Sequence, residues 1–142
     1  MTETDFYNGI VYRQLNSFGM LWRVENALNL GTADVAYCLK FKDDVGSGWI
    51  ETKKAREWPK RFETHLKFNH YTLDQVIFAE RWNRAGGRAC MLAQVEDDFL
   101  IVPAWNMRKI FKGVNKSTFI SLSVVHGHGV FPTGRILRWL TE

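Results

Sequence analysis

Hydrophobic spacing along this chain switches between a helical and an alternating period. From about Thr4 to Asn16, Phe6, Ile10 and Leu15 recur at near-helical intervals, with Thr2 or Thr4 as N-cap and Gly19 as terminator. "MLWRVEN" then alternates like a short strand. "ADVAYCLKF" is a strongly apolar strand, "KDDVGSG" a turn, and "WIETK" the strand returning from it. Pro59 prevents a regular helix through the basic stretch that follows. Thr72 caps a helix with Leu73, Val76, Ile77 and Trp82 on one face, and Gly86-Gly87 stop it. "RACMLAQV" and "FLIVPA" are two further strands around an acidic turn. This α-β-β-β-α-β-β order predicts an α/β fold, a central mixed β-sheet flanked by helices. In the tail, "TFISLSVV" reads as a strand, "HGHGVFPTGR" as a Gly-rich loop and "ILRWL" as a short closing element.

With 142 residues, the chain is expected to form one domain, with a core over about 4–104 and a basic C-terminal extension over 105–142. Six Trp and ten Phe supply enough large apolar side chains to exclude a disordered chain. The formal net charge of +4 is compatible with a polyanionic partner without requiring one. Cys38 and Cys90 sit in apolar runs and read as buried thiols, with neither a metal pattern nor a disulfide framework. The acidic N-terminus is unlike a secretory signal, and no apolar run reaches the ~20 residues that span a bilayer. A reducing, cytoplasmic setting is therefore expected.

The chemistry concentrates around Asp34 and "WIETKK". Glu51 and Lys53 alternate on one face of a strand while Ile50 faces the core. Taken alone, Glu-x-Lys is most simply a solvated strand face. Asp34 changes this, because it opens the preceding apolar strand and the hairpin carries it toward Glu51. Adjacent carboxylates repel unless a cation lies between them. Mg²⁺ takes oxygen ligands, often one or two carboxylates with waters and substrate phosphates. A nearby Lys can orient a water or neutralise charge developing on phosphate. Asp34 and Glu51 have numbers of opposite parity. They share a face only if the hairpin loop holds an even number of residues or a bulge shifts the register.

Asp34 followed by Glu51-Thr52-Lys53 after a hairpin resembles the PD-(D/E)xK nuclease signature, with Ala33 where that family usually has Pro. "LDQVIFAERWNRAGGRACMLAQV" resembles the Gln-bearing helix and following strand of the VRR-NUC and phage Holliday-junction-resolvase-like branches. The likeness covers roughly Leu21 to Pro103. It implies a restriction-endonuclease-like core and a Mg²⁺- or Mn²⁺-dependent DNA endonuclease, structure-selective and active in phage replication or recombination. It further implies Asp34 and Glu51 as metal ligands, Lys53 as the group acting on water or phosphate, and Gln75 as support for Lys53. A 5′-phosphate and 3′-hydroxyl product and a homodimer acting on branched DNA are also implied. Members often add an acid from the first helix, for which Glu3 and Asp5 are the candidates. Glu25 has two readings, a further ligand or a surface charge paired with Arg23.

Lys54, Arg56, Lys60, Arg61 and Lys67, interleaved with Trp58, Phe62 and Phe68, form a basic segment suited to a nucleic-acid backbone. Its alternative is a solvated loop with tucked aromatics. Arg81, Arg84 and Arg88, and the stretch Arg108, Lys109, Lys112 and Lys116, are weaker candidates. His126-x-His128, with no further ligand nearby in sequence, is incomplete for zinc. "GVNKS" lacks the spacing of a phosphate loop. The competing functional classes are a non-catalytic nucleic-acid-binding module on the same fold, and an unrelated α/β protein with a chance Glu-x-Lys.

Overall fold

The computed structural model describes residues 2–24 and 33–142. Six strands form one sheet in chain order: β1 (Gly19–Arg23), β2 (Val35–Phe41), β3 (Asp44–Ala55), β4 (Arg88–Val95), β5 (Asp98–Pro103) and β6 (Val125–His128). Neighbours are antiparallel except β3 and β4, which run parallel. A parallel pair needs a crossover, supplied here by α3 (Leu73–Arg84). The fold is thus α/β, with a six-stranded mixed sheet flanked by helices.

Each sheet face has its own core. On one side, α1 (Glu3–Phe6), a π-helical turn (Tyr7–Val11) and α2 (Tyr12–Leu15) bury Phe6, Val11 and Leu15 against Ile50, Leu92 and Ile101. Leu137 and Leu140 of α6 (Thr133–Thr141) complete this layer. On the other side, α3, α4 (Ala104–Phe111) and α5 (Lys116–Ser121) pack Val76, Met107, Ile110 and Phe119 onto Met91, Ala93, Leu100 and Val102. Helices on both faces explain why β4 reads as a nearly continuous apolar run. The C-terminal extension is integral to this body, since it supplies β6 and α4 to α6.

Four expectations are corrected. The hairpin turn is only Lys42–Asp43, with Lys42 at φ 56°, and "VGSG" lies inside β3. Its glycines are packing residues: a Cβ on Gly46 would sit 2.1 Å from the Leu140 carbonyl oxygen, and one on Gly48 2.1 Å from that of Arg88. "TFISLSVV" is not a strand. Asn115 caps α5 by accepting from the Thr118 N–H, and the helix buries Phe119. "HGH" is strand β6 rather than loop. Cys90 is buried as expected, and burial pushes its thiol pKa up. Cys38 is exposed, because helices cover the α3 side of the sheet only from β3 onward, leaving Met20, Trp22 and Cys38 open.

Candidate active site

The site grows from the β2–β3 hairpin. Its register pairs Val35 with Ile50, and one further step places Asp34 opposite Glu51. The two-residue loop is even and no bulge intervenes, so positions 34 and 51 are neighbours in register. The Asp34 backbone meets Glu51, and its carboxylate turns to Thr52. Asp34 N–H donates to Glu51 Oε2 at 3.2 Å, while Asp34 Oδ2 accepts from the Thr52 N–H at 3.1 Å and hydroxyl at 2.9 Å. Thr52 therefore fixes the Asp34 carboxylate from the opposite face of β3.

Glu51 and Lys53 are 1% and 2% exposed, which rules out a solvated strand face. Lys53 Nζ lies 3.3 Å from Glu51 Oε1 and 3.9 Å from Glu3 Oε1. It donates to the His70 carbonyl at 3.1 Å and stands 5.6 Å from the centre of the Tyr71 ring. Tyr71 is itself anchored through its hydroxyl to the Met107 carbonyl. A buried ion pair costs several kcal/mol per ion in desolvation and is retained only with close partners. Here two acids, Glu51 and Glu3, lie within ion-pair distance of one ammonium, and Asp34 stands next to Glu51. Burial first, and the Asp34 charge second, push the Glu51 pKa up to about 8, against the opposing pull of Lys53. Burial also raises that of Glu3.

This donor set suits a hard divalent cation. Glu51 Oε1 is buried and accepts no hydrogen bond, although the Lys53 ammonium lies within ion-pair distance. Once ionised, this oxygen offers a cation a ligand close to a second acid. Among the described residues, no group of three or more His, Cys, Asp and Glu stands ready as a metal cage. What converges is the Asp34–Glu51 pair, with Glu3 reaching the same ammonium.

The other expected residues separate. Of the two first-helix acids, Glu3 reaches the site, whereas Asp5 is exposed and closes a capping box with Thr2. Glu25 lies outside the described residues. Gln75 is the third residue of α3, its side-chain oxygen accepting from the Thr72 N–H at 3.0 Å. Lys53 donates to the His70 carbonyl. Arg56, Lys60, Arg61 and Lys67 are exposed. Lys54 is half-buried on the face opposite Lys53, and burial lowers its pKa. Trp58 is buried and Phe68 packs on Phe119, leaving Phe62 outside. Arg108 is tied to Glu80, and Arg88 bonds the Glu142 carbonyl and stacks on Trp139.

One cluster was invisible in sequence. The β5–β6 pairing sets Asp98 opposite His128, giving the His-x-His pair the acid it lacks locally. Asp98 Oδ1 lies 2.8 Å from His126 Nε2 and 2.9 Å from His128 Nδ1, while Oδ2 accepts from the Trp58 indole at 2.7 Å. Burial pushes the Asp98 pKa up, but hydrogen bonds from His126, His128 and Trp58 outweigh it and hold it below the ordinary value. The available signals were the strand-like spacing of the two histidines and the lone acid leading an apolar run.

No protein-family model matches this chain, and no curated protein matches its sequence. Among the described residues, no helix is long and apolar enough to cross a membrane.

Proposed function

We propose that this protein is a divalent-metal-dependent nuclease that hydrolyses phosphodiester bonds in DNA. The observation carrying this reading is the buried Glu51–Lys53 pair, with the half-buried Asp34 bonded to Glu51 through its backbone N–H and a Glu51 oxygen met only by the Lys53 ammonium. Asp34 and Glu51, with Glu3 as a third oxygen donor, would hold Mg²⁺ or Mn²⁺. Such an ion supplies a lowered water pKa and neutralises charge on the phosphate. Thr52 holds Asp34 in place, and the His70 carbonyl and Tyr71 ring hold Lys53, whose ammonium is set to orient water or meet charge on the phosphoryl oxygens. The strand–strand–strand–helix–strand order around these residues is compatible with the restriction-endonuclease-like core that the sequence resembles. A structure-selective, resolvase-like endonuclease of phage recombination, acting as a homodimer on branched DNA, is the finer reading.

The experiment is cleavage of a labelled four-way junction and its matching linear duplex with Mg²⁺ or Mn²⁺, comparing the wild type with Glu51→Gln and Lys53→Ala. Junction-selective cutting abolished by both substitutions is expected. Equal cutting of both DNAs keeps the nuclease and removes the junction preference. Binding without cutting in all three proteins points instead to a non-catalytic module.

A further inference from the structure

The loop between β3 and α3 leaves the candidate site and is pinned where it crosses the sheet end. The Trp58 N–H donates to Glu96 Oε1 at 2.7 Å, and its indole N–H to the buried Asp98 carboxylate. Farther on, Leu66 bridges to Val114. Between these anchors the chain turns tightly, with the Thr64 N–H bonded to the Arg61 carbonyl at 3.2 Å. Phe62 rides on this turn with 72% of its surface exposed.

The turn borders a surface groove of about 400 Å³ lined by Trp58, Lys60, Arg61, Phe62, Thr64 and Lys116. Lys116 comes from α5, far away in sequence. Its ammonium lies 5.5 Å from the centre of the Trp58 ring and 3.9 Å from Asp98 Oδ2. Asp98 thus orients both Trp58 and Lys116, and is itself bonded by His126 and His128. Two acids also line the groove, Glu57 and Glu96. Glu96 accepts from the Trp58 backbone and Lys116 is partly offset by Asp98, so Lys60 and Arg61 are the cations of the groove that no acid side chain holds.

The geometry points to a binding site for single-stranded nucleic acid in this groove, with phosphates met by Lys60, Arg61 and Lys116 and an unpaired base stacked on Phe62. A duplex offers the cations its phosphates but keeps its bases paired and stacked, so it leaves the Phe62 ring uncovered. A single strand satisfies both features, because base stacking on an aromatic ring tolerates any sequence and adds to the phosphate contacts. This site rests on the nuclease reading only for its biological meaning: it would hold an unpaired arm of the substrate near the strand that carries Glu51 and Lys53.

The test is fluorescence anisotropy in EDTA with a labelled oligothymidylate and a blunt duplex of equal length, where cleavage cannot interfere. The single strand should bind more tightly than the duplex. Phe62→Ala should weaken single-strand binding about tenfold, within the range for one lost base stack, while leaving duplex binding unchanged. Phe62→Trp should preserve binding, and Lys116→Gln should weaken it and flatten its salt dependence. Phe62 is exposed, so these variants fold. Unchanged single-strand affinity in Phe62→Ala, or duplex binding as tight as single-strand binding, would overturn the proposal. Loss of metal-dependent cleavage with Phe62-dependent binding intact would overturn the nuclease and leave this site standing. Junction cleavage indifferent to Glu51 but sensitive to Phe62 has the same meaning.

Discussion

Metal binding at Glu51 should release a proton, and the amount is fixed by its surroundings. In the metal-free protein this carboxyl has a pKa of about 8, raised by burial and by Asp34. At pH 7 roughly ten molecules carry the proton for each that does not. A cation takes the ionised carboxylate, so each binding event at pH 7 should expel about 0.9 proton from this group. Affinity should then rise with pH and level off above about 8. From pH 6 to the plateau the gain is roughly 100-fold, or about 2.7 kcal/mol at 1.36 kcal/mol for each pH unit. The assay is calorimetric titration with Mn²⁺ in two buffers of different ionisation enthalpy, at pH 6, 7 and 9. Heats should diverge between buffers at pH 7 and converge at pH 9. Glu51→Gln should remove most of the divergence, any remainder reporting Glu3, whose pKa is also raised. Tight binding at pH 7 with identical heats in both buffers would refute the reasoning, because it would mean that Glu51 is already ionised beside Asp34.

Three further outcomes follow from the same contacts. The metal-free protein should lose stability as pH rises from 6 to 8.5. A carboxyl with a folded pKa above its unfolded value of 4.5 favours the folded state fully only below 4.5, and that contribution fades as pH climbs through 8. Thermal melts should show a decline of roughly 1–3 kcal/mol in the wild type, most of which should vanish in Glu51→Gln. Thr52→Val removes the 2.9 Å hydroxyl bond to Asp34 but keeps the backbone bond, so stability should fall by about 1 kcal/mol and steady-state cleavage by roughly tenfold. Asp98→Asn presents one amide nitrogen to a cluster of donors and should cost about 2–4 kcal/mol in urea denaturation. Because Asp98 has a lowered pKa, its own contribution is present above 3.8 and disappears as pH falls further, so wild type and variant should converge in acid.

The elements that were legible in the sequence are those specified locally. Helix α3 announces itself through Thr72 and its apolar face. The strand pair β4–β5 does so through two apolar runs and a short acidic turn. The nearness of Asp34 to Glu51 was legible because a hairpin is a local structure, but its register was not, since the turn read as "KDDVGSG" is only Lys42–Asp43. Misreadings arose where a residue type has two uses. Glycine ordinarily marks a turn, yet Gly46 and Gly48 sit in a strand because the backbone of α6 and β4 approaches too closely for a Cβ. Gln75 also has two uses, and here no misreading is shown: a Thr followed three residues later by Gln is a capping box, the structure forms one, and a role beside Lys53 stays a proposal. Thr118, Phe119 and Ile120 have strand propensity, but burying Phe119 under the loop as part of α5 outweighs it. Asp98 and the two histidines could not be joined from sequence, because their contact depends on a β5–β6 pairing reached through two intervening helices.

The placement of these groups suggests a division of labour across one sheet face. Glu51 and Lys53 alternate on β3, and the pairing register carries that face through Met91, Ala93 and Val95 to Asp98 and then His128. Between the two polar clusters lie apolar side chains under α3 and α4. The sheet therefore fixes the distance between the Glu51–Lys53 centre, proposed above to act in hydrolysis, and a buried anchor that holds a basic loop. A site that cuts a long polyanion needs rigid spacing between where the chain is held and where it is cut, because a 1 Å displacement of the reacting group can cost about 100-fold in rate. A flexible basic tail would attract the substrate equally well but would not set that spacing. Trp58 is the residue that converts the loop from such a tail into part of the frame: it is buried in the same core as Met91 and Phe119, and its indole is bonded to Asp98.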